Sequence, residues 1–142
     1  MENMESSNLI VKNKRQKYLI PLLIGAAWNV FFGLMGVFNL PFHITLFYNS
    51  ITPAVKLIAN QEFWLVVLLA GVSYGVVAFN VSRFRFFITI GAIGKIGFFL
   101  LISYLWLGSS VTDFAVIIAG GDLLWAIYFL LFIYRTREYG YI

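Results

Sequence analysis

Four long apolar runs, two of their three junctions short and polar, organise the chain. The first is YLIPLLIGAAWNVFFGLMGVFNL, residues 18–40. The others cover about residues 63–81, 86–107 and 114–134. Each matches the roughly 20 residues a helix needs to cross a hydrocarbon core. The runs are continuous, whereas a membrane β-barrel needs alternating strands of about 10 residues. Backbone groups in lipid must bond internally, so helices are expected. The breaks SRFR (82–85) and GSSVTD (108–113) are short, which makes consecutive spans antiparallel neighbours. The predicted fold is all-α: a polytopic membrane protein with an antiparallel four-transmembrane-helix bundle.

Residues 1–17 read as a polar, then basic tail, and 135–142 as a second tail. A secretory signal has a shorter apolar region of roughly 7–15 residues and a small-residue cleavage site. The first run is longer and no such site follows it, so it reads as an uncleaved span. The connection 41–62, PFHITLFYNSITPAVKLIANQE, is the one long junction. It is too apolar for a solvated loop, and Pro41 and Pro53 punctuate it. A re-entrant or interfacial segment with a short helix after Pro53 is expected.

Composition strengthens this picture. The 142 residues are 61% hydrophobic and 11% charged. Soluble domains average roughly 45–50% apolar and 25% charged residues. The lipid bilayer is therefore the first partner. The formal charge of +4 forms no face, and no nucleic-acid module is present. The basic residues instead read as topogenic. Lys12, Lys14, Arg15, Lys17, Arg83, Arg85, Arg135 and Arg137 fall on one side, and Lys56 alone on the other. The positive-inside rule then puts both termini in the cytoplasm. Trp64 and Trp106 fall at the outer interface, and Tyr18 and Tyr134 at the inner one. KNKRQK also suits anionic lipid, at roughly 1 kcal/mol per basic residue near the surface.

Two ionisable residues lie inside spans. Lys95 sits in GAIGKIGFFLL, roughly 13 Å from the cytoplasmic end of the third span at 1.5 Å per residue. Asp122 sits roughly 18 Å from that end of the fourth by the same rise. A lysine side chain bridges the difference, so an ion pair between these antiparallel neighbours is expected. An unpaired charge at a helix centre costs roughly 2.5–3.5 kcal/mol.

Helical spacing also collects small residues around one polar group in each span. Gly25, Ala26, Asn29, Gly33 and Gly36 share a face of the first. Gly71, Tyr74, Gly75 and Ala78 share a face of the second. Lys95 lies with Gly91 and Gly94, and Asp122 with Ala115, Ala119 and Ala126. Small residues let membrane helices approach closely. The four faces can meet around Asn29, Tyr74, Lys95 and Asp122. Such a centre is either structural glue that fixes register or a site for a proton, ion or ligand.

Other chemistries have less support. There is no cysteine. His43 is the sole histidine, and with Glu62 and Asp113 it forms no recognised metal spacing. Ser73, Ser103, Ser109 and Ser110 have no nearby histidine base. GAIGKIG lacks the four-residue gap of a P-loop and lies within a span. No metal or cofactor is expected.

The Asn in the first span, RFRFFITIGAIGKIGFFLL and GGDLLWAIYFLL together resemble small four-span bacterial inner-membrane proteins that are functionally uncharacterised. The likeness covers about residues 18–134 and rests on Arg83, Gly91, Gly94, Lys95, Gly121, Asp122 and Trp125. It implies a bacterial plasma membrane location and no particular activity. Small drug exporters and fluoride channels share the span number. The chain has neither a carboxylate in its first span nor a fluoride-channel signature. Three roles stay open. The first is a non-enzymatic protein whose polar centre binds or conducts a small solute, ion or lipid, as a homo-oligomer or otherwise. The second is a structural or assembly subunit of a membrane complex. The third is a lipid-modifying enzyme acting at the outer loop.

Overall fold

A computed structural model describes residues 2–79 and 81–135, with the helical course alone for residues 2–17 and 81–84. The expected C-terminal tail beyond Arg135, with Arg137, lies outside the described residues. So do the side chains of the basic stretch 12–17 and of Arg83. Six helices follow in order: α1 (Glu2–Val37), α2 (Pro41–Phe47), α3 (Pro53–Ala59), α4 (Gln61–Phe79), α5 (Val81–Leu107) and α6 (Asp113–Arg135). Four segments are long and apolar enough to cross a membrane: Tyr18–Val37, Pro53–Phe79, Arg85–Leu107 and Asp113–Arg135. The fold is an all-α bundle of four long helices.

The ends of the spans differ from the sequence expectation in instructive ways. α1 stops at Val37, not Leu40. Asn39 turns left-handed at φ 49°, and the Asn39 and Leu40 amides bond back to the carbonyls of Gly36 and Met35. That is a Schellman cap, with asparagine where glycine is usual. Ser109 ends α5 in the same way at φ 54°. At its other end α1 extends through the expected tail to Glu2. Residues 2–17 contain no glycine or proline, so nothing in their sequence breaks a helix continuing from the span. SRFR, expected as a junction, belongs to α5. The run after Pro53 is divided at Asn60. Its side chain accepts the Phe63 amide at 2.8 Å and starts α4 as an N-cap.

The four long helices form a ring in which each is antiparallel to its neighbours. α1 packs closely on α4. A Cβ at Gly33 would lie 2.7 Å from the Leu68 backbone, and one at Gly71 would lie 2.8 Å from the Val30 amide. α5 packs along α6. Trp125 of α6 lies over Gly25 of α1, and Trp28 of α1 lies over Gly121 of α6.

The segment 41–62 is structured rather than loose. α2 and α3 close one end of the bundle. The Tyr48 hydroxyl donates to the Ile58 carbonyl at 2.9 Å. Asn49 donates to the Val111 carbonyl at 2.9 Å, and the Thr112 amide to the Phe47 carbonyl at 3.0 Å. Phe47, Val55 and Ile58 are buried beneath. One apolar core gathers there around Phe32, Phe47 and Trp64. A second, around Leu22, Tyr74 and Phe129, fills the opposite half.

Candidate functional site: a polar floor beside an apolar cleft

The polar groups of the spans are gathered between the two cores. Lys95 projects from α5 and is 5% exposed. Its ammonium donates to the Asp122 carboxylate of α6 in a salt bridge. It also donates to Asn29 Oδ1 of α1 at 2.8 Å. The Trp28 indole reaches the same carboxylate. One lysine thus ties the α5–α6 pair together and joins that pair to α1. Small neighbours permit this. Gly121 beside Asp122 leaves room for the Trp28 ring, whose nearest atom would stand 3.1 Å from a Cβ there.

Tyr74 comes from the fourth side. Its ring packs edge-on against Phe129 at 4.9 Å, and its hydroxyl lies against Gly91. The residue is 2% exposed, and its hydroxyl makes no hydrogen bond among the described residues. Asn29, Lys95 and Asp122 are thus bonded to one another, and Tyr74 lines the same cleft.

The surroundings of these residues are not a sealed seam. A cleft of about 520 Å³ opens between α4 and α5 and reaches in to all four residues. Its walls are mainly apolar, with Phe63, Phe98 and Phe87 prominent. The first two stack with centroids 5.9 Å apart. Gly94 and Gly97 leave the α5 wall flat, since a Cβ at either would meet no atom within 4 Å. Cleft residues Val66, Leu69 and Ile90 are also exposed on the outside of the bundle. The mouth is thus on the flank of the spans.

The residues at the capped end are dispersed. Asp113 accepts the Trp106 indole N–H at 2.8 Å, and Glu62 is exposed. His43 is enclosed by Phe47, Tyr48 and Trp64. Burial lowers its imidazole from the usual 6.5 to about 4, so it is neutral near pH 7. Burial also raises the Tyr48 hydroxyl above its ordinary value. Among the described residues no three histidines or carboxylates stand close enough to hold a metal. Ser73 donates to the Leu69 carbonyl at 2.9 Å, as helix serines do. Trp64, expected in an interfacial belt, is instead buried at 2% exposure beneath α2. The small Gly36 face of α1 lets its ring lie flush, and His43 covers it.

The periodicity of the spans held no sign of Trp28, Phe63 or Phe98 as cleft residues. The only available signals were the WN and GGD pairs, where a bulky ring and a small residue each adjoin a polar group. The helices and their buried charges define a multi-pass integral membrane protein with a polar centre. Comparison with protein families, curated proteins and solved structures yields no match, so the role is argued from geometry alone.

Proposed function

We propose that this is a non-enzymatic membrane protein that binds a small molecule dissolved in the bilayer, seating it in the α4–α5 cleft over the Lys95–Asp122 pair. The observation that carries this reading is the cleft itself. Charges used only as glue need a packed seam around them, because adjacent empty space forfeits contact energy. Here about 520 Å³ adjoins the pair, within the roughly 300–1,000 Å³ of ordinary small-molecule sites. The apolar walls favour a lipid portion or lipophilic ligand over conduction of a bare ion. The proposed setting is a bacterial plasma membrane, with both termini cytoplasmic and the α2–α3 cap outside.

A second reading, a structural or assembly subunit, draws on a different observation. Lys95 already has two partners on two helices, which fixes register without any ligand. A lipid-modifying enzyme has less support, since the one imidazole is buried among aromatic rings.

The readings separate when the protein is purified in mild detergent and examined by native mass spectrometry. The wild type is expected to carry a retained small molecule. Gly94→Phe, which builds into the open cleft, is expected to lose it while the unfolding temperature holds or rises. Equal retention by both proteins, or none by the wild type, would favour the structural role.

A further inference from the structure

We infer that the cleft selects an uncharged, largely apolar molecule bearing one hydrogen-bond acceptor, such as a ketone, quinone or ester carbonyl, and that the Tyr74 hydroxyl donates to it. This rests on the ligand-binding reading and names the chemistry of the ligand.

Charge balance comes first. The Lys95 ammonium and the Asp122 carboxylate neutralise each other at the floor. A ligand charge added there would lack a counter-charge. Uncompensated charge at this depth is strongly disfavoured. A neutral ligand avoids that cost.

Hydrogen-bond capacity comes second. An ammonium has three N–H donors. Two of them are taken by Asp122 and Asn29. The acceptor oxygen of Asn29 and one carboxylate oxygen are occupied by the same lysine. The Ser73 hydroxyl proton is committed to Leu69. The third ammonium N–H, the Trp64 indole N–H and the Tyr74 hydroxyl are left over; the indole N–H is enclosed beneath α2, and the hydroxyl, on a residue that lines the cleft, has no hydrogen-bond partner among the described residues. Covering the hydroxyl with apolar surface alone would leave it without an acceptor, so a ligand that offers one at this point avoids that penalty. A ligand rich in donors would gain far less.

The shape and the route agree with this. Above the floor the walls carry the rings of Phe63 from α4 and of Phe87 and Phe98 from α5, and between the α5 rings the backbone is bare at Gly94 and Gly97. That is a slot for a flat or slender apolar body. Val66, Leu69 and Ile90 at the mouth are exposed apolar side chains on spanning helices. The entrance thus opens to hydrocarbon, a phase from which neutral molecules arrive and ions are excluded.

Three probes of one shape test the inference: 2-acetylnaphthalene with a carbonyl acceptor, 2-ethylnaphthalene without one, and anionic 2-naphthoate. Each is equilibrated with phosphocholine nanodiscs, with and without the protein, and the excess bound is measured. 2-Acetylnaphthalene is expected to bind about tenfold more tightly than 2-ethylnaphthalene, the worth of one hydrogen bond. 2-Naphthoate should show no excess. Tyr74→Phe should bring 2-acetylnaphthalene down to the level of 2-ethylnaphthalene, while Tyr104→Phe, on the exposed flank, should keep the wild-type preference. Equal binding of both neutral probes to the wild type, or an unchanged preference in Tyr74→Phe, would overturn the inference. If Gly94→Phe still blocked that binding, the ligand-binding reading would survive. Excess naphthoate, or no excess of any probe, would also overturn the inference. The ligand-binding reading would then be judged by the retained molecule alone.

Discussion

Lys95 draws groups from two other helices onto one nitrogen: Asp122 from α6 and Asn29 from α1. At bilayer depth neither charge has water to fall back on, so each depends on the other. Lys95→Met leaves the Asp122 carboxylate alone, and Asp122→Asn leaves the ammonium alone. Each single change is expected to cost about 2.5–3.5 kcal/mol, the insertion penalty of an isolated charge. The double substitution removes both charges and should recover much of that loss. Reversible unfolding in mixed detergent micelles, run as a double-mutant cycle, measures the coupling. A coupling near zero would mean that the pair contributes nothing to the fold.

Among the elements, the contact of α1 with α4 is the closest, and it depends on missing side chains. At Gly33 a methyl group would meet the Leu68 backbone, which has no rotamer with which to yield. Gly33→Ala should therefore force the helices apart and destabilise the protein by about 1–3 kcal/mol, as overpacking does. Gly97→Ala, facing open space, should be close to neutral. Thermal unfolding of the two variants side by side tests this, and equal loss in both would contradict the close packing. This contact also marks what could be read from sequence. Gly33 and Gly71 stood out as small residues at helical spacing, and the apolar runs located four spans. Boundaries were less legible, because Asn39 and Ser109 set them through backbone caps and Asn60 through a side-chain cap, and hydropathy registers neither. Lys95 and Asp122 were conspicuous as charges inside apolar runs. The cleft was not, because it depends on how far apart α4 and α5 stand, and on which way Phe63 and Phe98 turn. Trp64 was misplaced for a related reason: an aromatic near a span end looks interfacial until another element covers it.

For the whole molecule, the orientation proposed above has a direct test. The chain contains no cysteine, so one introduced thiol is unique. With cytoplasmic termini, cysteines replacing Ser7 or Thr136 should resist an impermeant maleimide in intact cells, and one replacing Asn60 should react. Labelling at either terminal position would reverse the assignment. The cap between the first two spans has a further consequence, one that concerns time. α2 is pinned to the turn before α6, and its partners Asn49 and Val111 stand 62 positions apart in the chain. A ribosome delivers the second long after the first. Through most of synthesis the α1–α4 hairpin can already be seated in lipid while its cap, held only to the hairpin itself, lacks its bonds to residues 111 and 112. Closure of that end is therefore a late step in the molecule's construction, and the newborn protein passes through a stage in which it is inserted but unlidded.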